Sequence, residues 1–277
     1  MIKRETYINK EKIKSIKYNI GLYGAGTQST GMILMALTEK KECGLDYAIF
    51  SDVGAEPDHV LEYKEYFAEY VFNEFGFKIY TVQYKNLDHE IREYLKGNRK
   101  RVSQIPLFTE TGMLMRQCTQ DYKIAVADKF IKKEHGIKRK NSEQSNSIAL
   151  HMGISIDEIQ RLKYSTQWWK VLLYPIIEKG MRRNDTIQLV KKHGLKEPPR
   201  SACYFCPFHS NYYWKYLHDN YPMEYEKAIE FDELIRNYPN MNQKCYLHKS
   251  RKPLKNVDYT QSDFMDLIDE CHGYCGM

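Results

Sequence analysis

Short apolar runs alternate with longer amphipathic stretches along the first two thirds of the chain. The runs at 17–23 and 46–50 are typical of buried strands, and the segment at 29–40 has the spacing of a helix. This alternation predicts repeated βαβ units and a parallel sheet. The other predicted elements are strands at 78–82 and 147–152, an apolar segment at 170–177, and helices at 57–75, 87–96 and 119–133.

After about residue 178 the pattern changes to helices and loops. Helices are predicted at 184–193, 211–217, 223–237 and 262–271. We therefore expect an α/β fold, with a parallel twisted sheet and flanking helices in residues 1–180. A mainly helical, cysteine-containing C-terminal region is expected in residues 181–277.

Length and composition favour a globular protein. The chain has 277 residues, of which 42% are hydrophobic and 28% charged, which excludes a disordered chain. The longest apolar run, at 31–37, is far shorter than the roughly 20 residues that span a bilayer. Its N-terminus lacks the apolar core of a secretory signal. These features predict a cytoplasmic protein without a membrane partner.

The net charge of +6 is mild and compatible with a polyphosphate or acidic partner. Two basic segments, 96–101 and 132–140, would suit a nucleic-acid substrate. Trp168, Trp169, Tyr204 and Phe205 would provide stacking surfaces for its bases. Solvated loops and buried aromatic residues explain the same features, so both interpretations stand.

Seven cysteines are the most informative part of the composition. An odd number without an export signal argues against a disulfide framework and favours metal, cluster or redox chemistry. Cys203 and Cys206 form a CxxC pair, which can bind one metal or cluster or act as a redox dithiol. Cys118 precedes a predicted helix, whose dipole would lower the thiol pKa. Cys43 and Cys245 are expected to be packing residues.

A glycine-rich turn follows the first predicted strand and leads into a helix. Small residues let the backbone approach an anion, and the first N–H groups of a helix are free to bind one. The hydroxyls of Ser29 and Thr30 would add two donors. The sequence matches neither the Walker A motif nor G-x-G-x-x-G. The candidate cofactor-binding residues of this turn are Tyr23, Gly24, Ala25, Gly26, Thr27, Gln28, Ser29 and Thr30.

An acidic segment ends the second predicted strand. Asp52 lies where α/β sheets bind ligands, at the carboxyl end of a strand, and would hold Mg²⁺ or a ribose. Glu56 would either face the same ligand or cap the following helix.

Together these segments resemble the adenine nucleotide alpha-hydrolase superfamily, which includes phosphoadenylylsulfate (PAPS) reductases and ATP pyrophosphatases that modify tRNA. The turn resembles their PP-loop, Ser-Gly-Gly-x-Asp-Ser, with Gly24 and Ala25 in place of Ser and Gly and Gln28 in place of Asp. The segment 52–57 resembles the Asp-Thr-Gly-x-Glu-x-Pro motif of PAPS reductase-like proteins. Gly153 to Arg161 resembles a Gly-x-x-x-Asp-Glu-x-x-Arg segment, and 116–123 a Cys/Lys segment.

The resemblance covers about residues 18–210 and implies a Rossmann-like PP-loop fold that binds ATP with Mg²⁺. It implies a 4Fe-4S cluster, with zinc as the alternative, and leaves the fourth ligand open between Cys271, Cys275 and none. The implied cofactor-binding residues beyond the turn are Asp52, Gly54 and Glu56. The implied catalytic residues are Asp52, Arg116, Lys123, Asp157, Arg161 and Cys271. The implied metal ligands are Cys118, Cys203, Cys206 and Cys275.

Three functions are compatible with this resemblance. The first is adenylation of a substrate carbonyl by ATP followed by sulfur transfer, with tRNA, DNA or a nucleobase as the thiolated substrate. The second is reduction of PAPS or adenylylsulfate with Cys271 as nucleophile, because Glu270 and Cys271 resemble the Glu-Cys-Gly context of PAPS reductases. The third is a non-catalytic nucleotide-binding component, which the exchange of Asp for Gln28 would fit. The sulfur donor or reductant and the oligomeric state, a homodimer among the options, stay open.

Overall fold

The computed structural model describes residues 15–39 and 44–259, and these divide into two compact units. Unit one contains the described residues up to Ser51, together with Asp58–Val82 and Val126–Ser201. Unit two contains Asp52–Pro57, Gln83–Ala125 and the described residues from Ala202. Each unit is thus built from separate stretches of chain. The single boundary predicted between residues 180 and 181 falls inside unit one.

A five-stranded parallel sheet forms the centre of unit one. Its strands are β1 (Tyr18–Tyr23), β2 (Tyr47–Asp52), β3 (Ile79–Gln83), β5 (Ile148–Met152) and β6 (Lys170–Leu173), in the order β3-β2-β1-β5-β6. The last residue of β2 and of β3 belongs to unit two. Because β1 has β2 on one side and β5 on the other, the sheet order reverses between β1 and β5. In α/β proteins such a switch point at the carboxyl end is where ligands bind.

The helices of unit one follow the strands, as a βαβ pattern requires. They are α1 (Thr27–Thr38), α2 (Asp58–Phe75), α4 (Ala125–Glu134, apart from its first residue), α5 (Pro175–Glu178) and α6 (Arg183–Lys192). In α1, four consecutive residues from Met32 to Met35 are at most 1% exposed, so the helix is covered on all sides. Gly31 allows α6 to approach, because a Cβ there would lie 2.0 Å from Cγ2 of Thr186.

Unit two is mainly helical and has its own core. Its helices are α3 (Leu87–Leu95), α7 (Asn211–Asn220) and α8 (Pro222–Leu234), and a π-helical turn spans Gln120–Ile124. Two short antiparallel strands, β4 (Phe108–Thr109) and β7 (Cys245–Tyr246), pair with each other. Three short 3-10 segments complete the regular structure: Ile156–Arg161 in unit one, and Ile235–Asn237 and Leu254–Asn256 in unit two.

The core of unit two is aromatic and contains one buried carboxylate. Phe205 and Phe231 stack at 4.1 Å between ring centroids, and Trp214 is fully buried. Asp232, also fully buried, accepts hydrogen bonds from the backbone N–H groups of Leu247 (2.8 Å) and Leu254 (3.0 Å) and pairs with Arg236. This carboxylate therefore ties the segment after α8 to the core.

The predicted class, an α/β fold with a parallel sheet and flanking helices, is confirmed, and the architecture is compatible with a Rossmann-like fold. The apolar segment at 170–177 proved to be two elements, β6 and α5, separated at Tyr174. Pro175 explains the break, since proline disfavours helix in the residue before it and suits the first helical position. The helix predicted at 262–271 lies outside the described residues.

Candidate functional site

The glycine-rich turn joins β1 to α1 at the carboxyl end of the sheet. Ala25 has a left-handed φ of 60°, and Gly26 precedes the helix in extended backbone. The hydroxyl of Ser29 accepts the N–H of Gly24 (3.1 Å) and donates to the carbonyl of Gly26 (3.1 Å). The hydroxyl of Thr30 donates to the same carbonyl (2.9 Å). Both predicted hydroxyl donors thus stabilise the turn itself.

The first turn of α1 lies against the residue that follows β5. A Cβ on Gly153 would lie 2.6 Å from the N and Cα atoms of Ser29 and 2.9 Å from the carbonyl carbon of Gln28. Thr27, in the same turn, is 3% exposed, and its hydroxyl has no hydrogen-bond partner within residues 15–39 and 44–259. Leaving such a group unpaired costs about 1–3 kcal/mol. An oxyanion bound at the turn would accept its proton.

Gln28, Glu158 and Arg161 form a buried network in unit one. The amide Nε2 of Gln28 donates to Oε1 of Glu158 (3.3 Å), and a guanidinium nitrogen of Arg161 donates to Oε2 (2.7 Å). Glu158 belongs to the Asp-Glu segment at 157–158, and it is not among the site residues predicted from the sequence. The signal that could have found it is that an amide at position 28 can pair with this second carboxylate.

Two other predicted residues of unit one have structural contacts. Oδ2 of Asp157 accepts the N–H of Arg183 (2.7 Å), so the side chain caps the first turn of α6. The ring of Tyr23 is buried against Phe50 and Phe67. Burial raises the Tyr23 pKa well above its ordinary value.

The acidic segment after β2 belongs to unit two. Oδ1 of Asp52 accepts the N–H of Gly54 (2.7 Å), which closes a tight turn. Gly54 has φ of 69°, and a Cβ there would come within 2.7 Å of Asn86. Glu56 is fully buried at its side chain, and its Oε1 lies 3.0 Å from Nζ of Lys123. An ion pair is therefore the contact that the structure gives Glu56.

The structure brings Cys118, Cys203 and Cys206 into electrostatic range of one another in unit two. Burial raises the pKa of Cys118 and of Cys203, and the other thiols raise both further. Arg116 and Lys123 oppose this at Cys118, and Lys123 opposes it at Cys203. The prediction that the helix dipole leaves Cys118 with a lowered pKa is therefore wrong, because desolvation of the thiolate outweighs it.

The CxxC segment is a compact turn. The N–H of Cys206 donates to the carbonyl of Cys203 (2.9 Å), and Nε2 of His209 bonds the same carbonyl (2.9 Å). Among the described residues, no group of three or more His, Cys, Asp or Glu side chains is placed to hold a metal ion. The three thiols have the chemistry that an iron–sulfur cluster or zinc requires of its ligands. Cys43 and the remaining candidate ligands, Cys271 and Cys275, lie outside the described residues.

Basic side chains line the same part of unit two. Arg116 hydrogen-bonds the thiol of Cys118, and its guanidinium lies 5.4 Å from the ring centre of Phe208. Lys123 is held by Glu56, whose carboxylate and the nearby Cys203 raise the Lys123 pKa despite the opposing effect of burial. These two cations are placed to compensate negative charge on the thiols.

Most of the aromatic residues that suggested a nucleic-acid substrate are buried, whereas most basic residues of the two segments are exposed. Three of the four aromatic residues, Trp169, Tyr204 and Phe205, are buried. In the first basic segment, Arg99 pairs with the buried Glu90 at 2.6 Å. None of the helices in the described part of the chain is long and apolar enough to cross a membrane.

Two comparisons with known proteins leave the family open. No protein-family model matches the chain, and no curated protein matches it significantly.

Proposed function

We propose that this chain is a nucleotide-dependent enzyme of the PAPS reductase/ATP pyrophosphatase type, which binds ATP with Mg²⁺ at the glycine-rich turn. The observation that carries the proposal is the buried, unpaired hydroxyl of Thr27 in the first turn of α1. That turn begins at the carboxyl end of β1, beside the switch point of the sheet. Helix N-termini in this position bind phosphate groups in α/β proteins.

In the proposed reaction, backbone N–H groups of the turn and the Thr27 hydroxyl bind phosphate oxygens of ATP. The guanidinium of Arg161 stabilises the negative charge that develops during phosphoryl transfer. A substrate carbonyl oxygen forms a bond to the α-phosphorus, and the bond to the bridging oxygen breaks and releases pyrophosphate. A hydrosulfide donor then attacks the activated carbon. The carbon–oxygen bond breaks, AMP leaves with the former carbonyl oxygen, the sulfur gives its proton to solvent, and a thiocarbonyl remains.

The thiols of unit two are proposed to hold an iron–sulfur cluster. Cys118, Cys203 and Cys206 would bind it, and when bound it would supply iron that carries the sulfur donor. Arg116 and Lys123 would compensate the charge of the thiolates. An anaerobic preparation is expected to contain iron and acid-labile sulfide and to absorb visible light. A Cys203→Ser variant should lose the iron. The control Cys245→Ser should keep it, because Cys245 is a buried cysteine that is not one of the three proposed ligands. Stoichiometric zinc without colour would overturn the cluster.

The nucleotide site is tested by calorimetry with ATP and Mg²⁺ on the wild type, Thr27→Val and the control Thr38→Val. Thr38 lies at the opposite end of α1, where its hydroxyl donates to the carbonyl of Leu34 (2.8 Å). Thr27→Val should weaken ATP binding by about 10-fold, the effect of one hydrogen bond to a charged group. Without nucleotide, it should leave the melting temperature unchanged or higher, because it removes an unpaired buried hydroxyl. Thr38→Val should bind ATP like the wild type.

Product assays separate the competing reactions. Pyrophosphate release from ATP in the presence of the thiolation substrate supports the proposal. Sulfite release from PAPS with a thiol reductant would replace it with the reductase function, and tight ATP binding without turnover of any substrate would favour a non-catalytic component. Failure of the wild type to bind ATP would overturn the proposed site.

A further inference from the structure

A chain of three buried polar side chains connects the first turn of α1 to the segment after β5. Gln28 is 8% exposed, Glu158 is 4% exposed and the side chain of Arg161 is 11% exposed. The Glu158 carboxylate receives the Gln28 amide on one oxygen (3.3 Å) and the Arg161 guanidinium on the other (2.7 Å). All three residues belong to unit one. A single carboxylate thus joins the Gly-rich turn to a positively charged group.

The guanidinium of Arg161 is only partly used by this network. Its Nε is buried and, within the described residues, has no hydrogen-bond acceptor. Arginine presents its N–H donors as a planar fork that suits the oxygens of a phosphate. An oxyanion held at the first turn of α1 would satisfy this donor. The orientation of the fork depends on the Glu158 oxygen that holds its other side.

The side chain at position 28 decides how Glu158 is held. A carboxylate there would face Glu158 at hydrogen-bond distance and repel it. An apolar side chain would leave Oε1 without the amide donor. A neutral amide of this length donates to Oε1 and leaves the negative charge of Glu158 for Arg161. The exchange of the PP-loop acid for Gln28 therefore has a structural reason in this chain.

We propose that Gln28 is a positioning residue of the nucleotide site, which acts through Glu158 to orient the Arg161 guanidinium toward the phosphates. This inference rests on the proposed nucleotide binding. Gln28 contributes no charge and need not touch the nucleotide. Its effect on ATP affinity depends on the presence of Arg161.

The test is a double-mutant cycle on ATP affinity, measured by calorimetry with Mg²⁺ on the full chain. The variants are Gln28→Leu, Arg161→Met and the double variant, with Gln167→Leu as the matched control because Gln167 is exposed in the same unit. Gln28→Leu is expected to weaken ATP binding about 10-fold. The double variant should bind no more weakly than Arg161→Met alone, and Gln167→Leu should bind like the wild type.

A second variant keeps the test valid if Gln28→Leu does not fold. Gln28→Asn keeps the amide but is shorter by one methylene, so it should reproduce the loss with a melting temperature close to that of the wild type. Wild-type ATP affinity in Gln28→Leu or Gln28→Asn would overturn the inference. A double variant whose loss of ATP affinity equals the product of the two single-variant losses would also overturn it. If the wild type itself does not bind ATP, the proposed function fails, and this inference fails with it.

Discussion

Gly153→Ala is the sharpest test of the geometry at the switch point. A Cβ there would lie 2.6 Å from backbone atoms of Ser29, whereas ordinary contacts begin at 3.4 Å, so the two segments must separate by about 0.8 Å. The neighbouring atoms belong to the backbone, so no side-chain rotation relieves the contact. Overpacking of this kind costs about 1–3 kcal/mol. A displacement approaching 1 Å at the reacting groups can lower turnover about 100-fold.

Two measurements follow on purified Gly153→Ala. Urea unfolding should show a loss of about 1–3 kcal/mol with an unchanged slope against denaturant. Pyrophosphate release should fall about 100-fold, because the turn no longer holds the phosphates at the position of attack. The matched control is Gly112→Ala, since a Cβ on Gly112 would meet nothing within 4 Å. That variant should change stability by less than about 1 kcal/mol.

Unfolding of Gly153→Ala at the same urea concentration as the wild type would contradict this close contact. Such a result would mean that α1 and the end of β5 can separate at no cost. A variant that loses stability but keeps full pyrophosphate release would instead show that the first turn of α1 does not position the phosphates.

Three further predictions concern packing, burial and pH. Gly31→Ala should destabilise the chain by about 1–3 kcal/mol, and Thr186→Ser, which removes the methyl group 2.0 Å from the new Cβ, should recover most of the loss in urea unfolding. Asp232→Ala should cost about 3–5 kcal/mol, because two buried N–H groups lose their acceptor at about 1–3 kcal/mol each and the ion pair with Arg236 is lost. Asp219→Ala, in an exposed ion pair, should cost less than about 1 kcal/mol by the same measurement. Burial raises the Cys118 pKa, so the alkylation rate of this thiol in the metal-free protein, followed by peptide mass spectrometry, should reach half of its maximum only above about pH 8.5, the pKa of a free thiol. The contribution of Cys118 to stability should fall as the pH rises through the same range. A half-maximal rate at or below about pH 8.5 would contradict the burial argument.

The sequence pattern predicted the elements of unit one within a few residues. Strand β1 was expected at 17–23 and spans Tyr18–Tyr23, and the helix expected at 57–75 spans Asp58–Phe75. Strands of a parallel sheet are buried on both faces and read as continuous apolar runs, which turn residues separate from the helices. Local spacing therefore contains most of the information that defines these elements.

Contacts between distant residues could not be predicted in the same way. Strands β4 and β7 have two residues each, too few for any period, and they pair across more than a hundred residues of sequence. Likewise, an acid in the acidic stretch 230–233 gives no sign of burial, yet Asp232 accepts hydrogen bonds from the N–H groups of Leu247 and Leu254. The ion pair of Glu56 with Lys123 depends on two segments that only the fold brings together.

For the candidate site, the residue types were informative and their individual roles were less so. The turn was located correctly between β1 and α1, but the hydroxyls of Ser29 and Thr30 stabilise the turn and the buried Thr27 hydroxyl is the unpaired one. Cys118 lies within electrostatic range of Cys206 of the CxxC pair, and the grouping of the three as cluster ligands stays a prediction. The pKa shift of Cys118 was predicted in the wrong direction, because the position of a residue at the start of a helix does not show whether its side chain is buried.

The interleaved division of the chain has a consequence for the order in which the protein folds during synthesis. The last segment of unit one ends at Ser201, so a ribosome that has released this residue has released everything described for that unit. Unit two cannot yet fold, because α7, α8 and β7 have not yet emerged when its earlier segments, 52–57 and 83–125, have already left the ribosome. Those segments include Leu87, Ile91 and Leu107, which are at most 1% exposed in the folded unit. Nascent chains arrested when residue 201 has just left the exit tunnel should therefore bind chaperones through unit two while unit one already resists protease.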